Sequence, residues 1–209
     1  CVVTVEADDE VPAVESNGDE LVAVTGIALN TKKLDMLVGG QAETLTVEVS
    51  PSNASDTTVI WESSDPSVAT VEDGVVTAVG MGVASISVKT ADEVYEDVCE
   101  VTVWNSCGDD AKWRVENTST LIIAGEGAIS DSASAVKQPW ASVKAKITTV
   151  QIGSGITVIG KYAFAMFSKL ESFEISEDST LTEIAANAFM ATAKLTEIYL
   201  PNTLNKIGD

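Results

Sequence analysis

The segment LESFEISEDSTLTEIAANAF, residues 170–189, decides the fold of the C-terminal half because its parts recur along the chain. Its first six residues reappear in altered form as ITTVQI at 147–152 and as LTEIYL at 195–200. The offsets between these three hexads are 23 and 25 residues. A unit of this size cannot bury its apolar face alone, so the recurrence predicts that the units stack and share one elongated core.

Two further landmarks recur inside the units. One is Ala163-Phe164, which corresponds to Ala188-Phe189. The other is an isoleucine followed by a small residue, at Ile159-Gly160, Ile184-Ala185 and Ile207-Gly208. The pattern resembles the BspA-like leucine-rich repeat, whose unit is a strand, then Ile-Gly, then Ala-Phe on a short helix. The resemblance implies a short solenoid over residues 147–209 that is displayed at a surface, binds macromolecules and has no catalytic residues. Because the third repeat stops at Asp209, before its Ala-Phe helix, we expect that the natural chain continues or was trimmed there.

The segment before the repeats fits the same family. Its matching residues are Cys107-Gly108-Asp109, Trp113, Leu121-Ile122-Ile123, Gly125-Glu126-Gly127 and Pro139-Trp140. They resemble the N-terminal part that precedes such repeats. We therefore predict that residues 105–146 form an N-terminal cap region, with a β-hairpin from about Lys112 to Ala124 that closes the open end of the solenoid. Without it, the first repeat would expose apolar surface and unpaired strand-edge groups.

The middle of the chain, residues 21–104, shows a different period. Leu45, Val47 and Val49 alternate with polar residues, and similar short runs follow at intervals, separated by turns rich in Gly, Pro, Asn and Asp. Short alternating strands at regular spacing predict an all-β sandwich in which each strand buries one face.

Within this region the run VIWESSDPSVATV, residues 59–71, resembles the signature of the bacterial Ig-like domain, group 2. The runs at 74–79 and 82–88 resemble it too. The resemblance implies a spacer or adhesion module of extracellular or surface proteins, with no catalytic residues. Trp61 is predicted to fill the sandwich core, and the alternative is an exposed aromatic that stacks on a sugar.

The first 20 residues carry seven acidic residues and no basic one. Their opening, Cys1-Val2-Val3-Thr4-Val5, nearly repeats Cys99-Glu100-Val101-Thr102-Val103, which is predicted to be the last strand of the Ig-like domain. We therefore interpret residues 1–20 as a strand remnant of a preceding module followed by an acidic linker, which would make the native protein an array. A rival interpretation is a lipoprotein anchored through an acylated Cys1. We prefer the array.

The composition excludes several classes of function. Acidic residues number 32 and basic residues 12, for a formal net charge of -20. This balance argues against binding to nucleic acid or to anionic lipid, since both need clustered lysine and arginine. The chain has no histidine, which excludes Ser-His-Asp and Cys-His catalysis and imidazole metal sites. No apolar run reaches about 18 residues, so we expect no insertion into a membrane.

The cysteines and the acidic clusters leave two questions open. Cys99 shares a strand face with Val101 and Val103, which predicts a buried small apolar side chain. The alternative is a disulfide between Cys99 and Cys107, if the chain turns after Trp104. Because the acidic clusters match no calcium-loop spacing, we predict no metal site, with weak calcium binding as the alternative.

The repeat hexads have two distinct sides. The side predicted to enter the core carries Val150, Ile152, Phe173, Ile175, Ile198 and Leu200. The opposite side, called here the ladder face, carries Thr149, Gln151, Ser172, Glu174, Glu197 and Tyr199. Parallel stacking would align the ladder face into two short rows of side chains, a candidate partner surface. The alternative is a solvated polar surface with no partner.

Together these observations predict a mainly β, monomeric protein that is secreted or lies at the cell surface, is not an enzyme and needs no cofactor. The function we expect is adhesin-like: an Ig-like spacer presents the leucine-rich repeats to a host protein, the extracellular matrix or a glycan. The alternative is a structural spacer, or an accessory segment of a larger surface protein or secreted enzyme.

Overall fold

The computed structural model describes residues 21–209. The predictions made for residues 1–20, which include the strand remnant, the acidic linker and the anchor at Cys1, lie outside the described residues. Within 21–209 the chain consists of strands and turns, with a single 3₁₀ helix at Lys144–Lys146. The prediction of a mainly β protein is confirmed.

Nine strands form the first half: β1 Gly26–Leu29, β2 Lys33–Leu37, β3 Glu43–Thr44, β4 Val47–Ser50, β5 Val59–Ser63, β6 Ala69–Glu72, β7 Val75–Ala78, β8 Gly82–Thr90 and β9 Glu96–Ser106. The largest layer has the order β5-β8-β9-β2, with β9 antiparallel to β8 and parallel to β2. β1 pairs with β4, and β3, β7 and β6 form a three-stranded sheet.

Alternate residues of these strands face one core, as the period of two predicts. On β8 the buried side chains include Ile86 and Val88, and on β9 they include Cys99, Val101 and Val103. The indole of Trp61 packs against the same core but is partly exposed, so the prediction that it fills the core is met only in part.

Strand β9 crosses from the first half into the second. Most of its length pairs with β8, while Asn105 and Ser106 at its end pair with β10 (Asp110–Glu116). β10 then turns back into β11 (Thr120–Ala128) as an antiparallel hairpin. The two halves therefore share one sheet.

From β11 onward the strands are parallel and form two stacks. The first half of β11 pairs with β12 (Thr149–Ile152), which pairs with β14 (Ser172–Ile175). The end of β11, after a shift in register, pairs with β13 (Ile156–Ile159), which is followed by β15 (Glu183–Ile184) and β16 (Lys206–Ile207). The first two repeats thus give one strand to each stack, whereas the third gives only β16.

A second core fills the repeats and contains a row of aromatic rings. Trp140 stacks on Phe164 with ring centroids 5.3 Å apart, and Phe164 stacks on Phe189 at 5.5 Å. Trp113 of β10 meets Trp140 edge to face at 5.9 Å. Because Trp140 precedes Phe164 by about one repeat length, its ring occupies the place that a preceding repeat would give to its phenylalanine.

The Ala-Phe segments are turns, so the prediction that they form short helices is wrong. Tyr162 and Met166 have φ angles of 57° and 62°, and Asn187 and Ala191, their equivalents in the next repeat, have 58°. Left-handed residues at both ends of so short a segment prevent the uniform φ and ψ angles that a helix needs.

Backbone hydrogen bonds between repeats explain why the turn replaces the helix. The N–H of Phe164 donates to the carbonyl of Ala188 at 2.8 Å, and the N–H of Met166 donates to the carbonyl of Met190 at 2.7 Å. In a helix these N–H groups would point along the helix axis. In the turn they donate to carbonyls of the next repeat, so contact between repeats, and not local helix propensity, determines this conformation.

The third hexad does not form a strand, so the prediction that residues 195–200 continue the first stack is wrong. Ile198 packs partly against the core, but Leu200, which was predicted to be buried, is 45% exposed. Pro201 follows directly and has no N–H to contribute to a ladder. β14 is therefore the last strand of this stack in the described chain.

Both described cysteines are free, so the alternative of a Cys99–Cys107 disulfide is wrong. Cys99 lies in the first core and Cys107 lies in the second, which separates their sulfur atoms into different packed interiors. Cys99 is fully buried, as the strand pattern predicted. Burial raises the pKa of the Cys107 thiol from 9.0 to about 12.

These two thiols should resist alkylation in the folded protein. At pH 8 the reactive thiolate of Cys107 is scarce because of its raised pKa, and burial blocks access of the reagent. Peptide mapping after treatment with iodoacetamide should find little label at either cysteine, and full label in denaturant. The thiol of Cys107 ionises near pH 9 in the unfolded chain and only near pH 12 in the folded one. The free energy of unfolding, measured by denaturant titration, should therefore fall as the pH rises above 9. Rapid native labelling of Cys107 would contradict this placement.

Candidate binding face

The structure brings four of the six ladder-face residues together on paired strands. The register of β12 and β14 places Thr149 beside Ser172 and Gln151 beside Glu174. Directly opposed residues of neighbouring strands point to the same side of the sheet. These four side chains therefore form the two predicted rows over the first two repeats.

Hydrogen bonds fix the geometry of these rows. The Gln151 amide donates to one oxygen of Glu174 at 2.9 Å, and the Ser172 hydroxyl donates to the other oxygen at 3.1 Å. The carboxylate has no cationic partner among residues 21–209. Glu174 is exposed and held in one orientation, which favours contact with a cation or a hydrogen-bond donor on a partner.

Glu197 and Tyr199 lie on the unpaired segment 195–200 and not on a neighbouring strand of the sheet. Between this segment and β14 is a groove of about 410 Å³. Its lining residues are Glu171, Ser172, Phe173, Glu174, Ile175, Thr196, Glu197 and Tyr199. The Tyr199 side chain is 78% exposed, and its hydrogen bond with the Glu197 carboxylate raises the pKa of the phenol.

Ion pairs connect the third repeat to the second at both stacks. Lys194 lies 2.8 Å from Glu171, and Lys206 lies 2.7 Å from Glu183. The hydrogen bond from Lys194 lowers the pKa of the Glu171 carboxyl. The Lys194–Glu171 pair is exposed and contributes little to stability, but it neutralises Glu171. Among residues 21–209 no cation pairs with Glu174 or Glu197, so these two are the uncompensated charges of the groove.

The same side of the sheet continues beyond the repeats onto β11 and β10, in residues that were not among the predicted site residues. On β11, Thr120 lies beside Thr149 and Ile122 lies beside Gln151. On β10, Arg114 lies opposite Ile122. Strand alternation within the predicted hairpin could have identified these residues. Thr120 and Ile122 are two positions apart on β11 and so point to the same side, and Arg114 lies opposite Ile122.

At the junction of the two halves, this side carries a cluster that we call the Trp104 cluster, made of Asp35, Trp104, Lys112 and Arg114. The Trp104 indole N–H donates to Asp35 at 3.3 Å, and the Lys112 ammonium binds the same carboxylate at 2.6 Å. Lys112 and Arg114 lie 4.9 and 5.1 Å from the centroid of the Trp104 ring. These are cation–π distances, so a residue of β2 and two of β10 are joined through β9.

At the start of the repeats, two side chains take the place of backbone donors. The Trp140 indole N–H donates to the carbonyl of Ala163 at 2.8 Å, and the Gln138 amide donates to the carbonyl of Ala165 at 2.8 Å. Ala163 and Ala165 correspond to Ala188 and Met190, whose carbonyls accept from the backbone of the first repeat. The first repeat thus receives from side chains the hydrogen bonds that the second receives from a preceding repeat.

Lys144 holds Gln138 in position. Its ammonium donates to the Gln138 side-chain oxygen at 3.2 Å and to the carbonyl of Ala135 at 2.7 Å. The amide nitrogen of Gln138 is thereby left to face the first repeat. Burial lowers the pKa of Lys144.

Within residues 21–209 no three His, Cys, Asp or Glu side chains converge as a metal site would require. No helix in the described part of the chain is long and apolar enough to cross a bilayer.

Two family models match the chain, in the order that the sequence analysis predicts. Residues 23–103 match the bacterial Ig-like domain (group 2), and residues 138–209 match the BspA type leucine rich repeat region. The chain therefore joins a group 2 bacterial Ig-like domain to BspA type leucine-rich repeats. Both kinds of domain are typical of extracellular or surface proteins and are typically non-catalytic.

Several known proteins are similar to parts of the chain. An Ig-like virion protein of the Serratia phage KSP90 is 44% identical over 85 residues, which are 40% of this chain and 33% of that protein. An uncharacterized protein of Clostridium acetobutylicum is 45% identical over 69 residues, which are 32% of this chain and 17% of that protein. The chain thus spans a third or less of the length of these relatives.

Among solved structures, a leucine-rich repeat protein from Eubacterium ventriosum is 27% identical in sequence and has a TM-score of 0.45. The match covers 49% of this chain and 27% of the Eubacterium chain. The two domain types and the similarity to an Ig-like virion protein fit a surface-associated or virion-associated role in protein binding.

Proposed function

We propose that the chain is a non-catalytic binding module of a secreted or surface protein. The Ig-like domain acts as a spacer, and the ladder face of the repeats, together with the groove beside β14, contacts an extracellular protein or a glycan. The contact surface is polar, with Gln151 and Glu174 held by hydrogen bonds and Tyr199 strongly exposed. Tyrosine is enriched among residues that dominate binding energy.

The observation that carries this proposal is the passage of β9 through both halves. A spacer that ends in a flexible linker would present the repeats in many orientations. Here β9 pairs with β8 and β2 in the Ig-like domain and with β10 in the repeat half, and the Trp104 cluster braces the crossing. The ladder face therefore has one fixed direction relative to the spacer, which lowers the entropic cost of binding.

The same proposal assigns roles along the chain. Residues 21–104 are the spacer, residues 147–209 are a short solenoid, and residues 105–146 are its N-terminal cap, built on the hairpin of β10 and β11. Support for the cap comes from Gln138 and Trp140, which supply hydrogen bonds to the first repeat. An uncapped first repeat would leave those carbonyls unpaired and Phe164 exposed.

A structural spacer without a ligand of its own is the second candidate. The braced junction favours it as well, because a stiff crossing suits a module whose task is to hold neighbouring domains apart. The similarity to an Ig-like virion protein makes a virion surface one setting in which either role applies.

Binding arrays of matrix proteins and glycans test the proposal directly. Any ligand bound through the ladder face should bind at least about tenfold more weakly to a Glu174→Ala, Tyr199→Ala variant, since truncated hot-spot residues commonly cost more than ~1.4 kcal/mol. Titration calorimetry or surface plasmon resonance on the full chain gives the affinities.

The matched control removes exposed charge outside the ladder face. Glu177 and Asp178 lie in the exposed loop after β14, and a Glu177→Ala, Asp178→Ala variant should bind as the parent does. Unchanged affinity of the Glu174, Tyr199 variant would exclude the ladder face. A failure to find any ligand on the arrays would favour the structural spacer.

A further inference from the structure

The outer edge of β14 is a row of backbone groups that have no strand beside them. The N–H groups of Ser172 and Ser176 donate to the carbonyls of Thr148 and Ile152 on the β12 side, at 3.1 and 3.0 Å. Along a strand, successive N–H groups point in opposite directions. The N–H groups of Phe173 and Ile175 therefore point away from β12, toward the groove.

Nothing in the described chain pairs with this edge. Residues 195–200 run alongside β14 without forming a ladder with it, and the groove of about 410 Å³ separates the two. An unpaired strand edge is a template for the addition of another strand. The groove is open to solvent on the side where Tyr199 and Glu197 lie, both of which are exposed.

The charge of the groove determines which strand would fit. Glu174 and Glu197 face the groove without a salt bridge within residues 21–209, and Glu171 is neutralised by Lys194. The whole chain carries 32 acidic and 12 basic residues, so a second copy of this chain would be repelled. A segment rich in lysine or arginine would be attracted and would find carboxylates at its alternate side chains.

We propose that the groove between β14 and residues 195–200 accepts an extended, basic peptide segment of a partner protein, which adds to β14 as an extra strand. Its backbone pairs with the N–H groups of Phe173 and Ile175. Its cationic side chains lie against Glu174 and Glu197, and its remaining side chains turn toward the core side of the sheet, where Ile175 is partly exposed. This is recognition by strand addition, in which the main chain gives affinity and alternate side chains give selectivity.

This inference deepens the proposed function, because it makes the partner a polypeptide rather than a glycan. The test uses two blocked hexapeptides, Lys-Val-Lys-Val-Lys-Val and Glu-Val-Glu-Val-Glu-Val, with the full chain. The lysine peptide should bind at least tenfold more tightly at low salt, and its affinity should fall as salt is added. Hydrogen exchange at the Phe173 and Ile175 amides, read by NMR, should slow at least tenfold in its presence.

Two matched variants separate the groove from general attraction of charge. Replacing Glu174 and Glu197 with glutamine should abolish the preference for the lysine peptide, whereas Glu177→Gln with Asp178→Asn removes the same charge outside the groove and should retain it. Equal binding of the two peptides, or equal losses in both variants, would overturn the inference. So would binding that leaves exchange at Phe173 and Ile175 unchanged.

The two proposals fail in different ways. A matrix protein or glycan that depends on Glu174 and Tyr199, while the amides of Phe173 and Ile175 still exchange freely, would support the proposed function and reject strand addition. Strong protection of those two amides in the absence of any peptide would mean that residues 195–200 pair with β14 themselves, and it would also reject strand addition.

Discussion

Replacing Trp140 with alanine should lower the free energy of unfolding of the repeat region by about 3–5 kcal/mol. The indole is fully buried and lies in the aromatic row, stacked on Phe164 and in edge contact with Trp113. Its loss leaves a cavity and also leaves the carbonyl of Ala163 without its donor. Calorimetry of the full chain should show that the unfolding transition that includes the repeat region begins at a clearly lower temperature.

A Trp140→Phe variant separates packing from hydrogen bonding. Phenylalanine keeps the stacked ring but has no N–H, so the cost should be smaller, about 1–3 kcal/mol for an unpaired buried carbonyl. A Gln138→Ala variant should add a similar cost, since it removes the donor to Ala165. Stability of Trp140→Ala within 1 kcal/mol of the parent would show that the first repeat needs no cap.

Replacing Trp104 with alanine should uncouple the two halves of the molecule. The ring is almost fully buried, so its loss should cost about 3 kcal/mol or more in unfolding free energy. It also removes the platform over which Lys112 and Arg114 lie and the donor to Asp35. Thermal unfolding should then separate into two transitions, and small-angle scattering should report a broader range of shapes.

The control for this prediction is Trp104→Phe, which keeps an aromatic face under the two cations and loses only the N–H. It should retain most of the coupling, and Asp35→Asn should retain the ring contacts while weakening the bond to Lys112. A single unfolding transition and unaltered scattering for Trp104→Ala would mean that the strand pairing of β9 alone holds the junction.

Much of the architecture could be predicted from the sequence because it depends on two short-range signals, strand alternation and the recurrence of a repeat unit. Alternation in residues 21–104 marked the strands of the sandwich, and the recurrence around residues 170–189 marked the stacked units. Cys99 was predicted to be buried from its two neighbours on the same strand face, and it is. In each case the signal is either the alternation within one strand or the recurrence of one short pattern along the chain.

The errors occur where a neighbouring unit determines the conformation. The Ala-Phe segment was predicted to be a helix, but Met166 takes a left-handed φ so that its N–H can bind the next repeat. The third hexad resembles the first two in sequence, yet Leu200 is exposed because residues 195–200 do not pair with β14. Similarity between the hexads does not show whether each one forms backbone hydrogen bonds with the neighbouring strand.

The junction was missed for a related reason. Asp35 and Lys112 are far apart in sequence and meet only because β2 and β10 lie near the same end of β9. The ladder face was found over its first two repeats because Gln151 and Glu174 belong to recurring hexads. No short-range sequence pattern predicts a contact between a strand of one domain and a hairpin of the next.

The continuous strand β9 has a mechanical consequence. Tension that pulls the repeats away from the Ig-like domain passes along β9, parallel to its length. The hydrogen bonds of β9 to β8 and β2 are roughly perpendicular to that direction. They are therefore loaded in shear and resist the tension together, and do not break one after another. A module built this way should yield abruptly at a high force instead of stretching gradually at a low one.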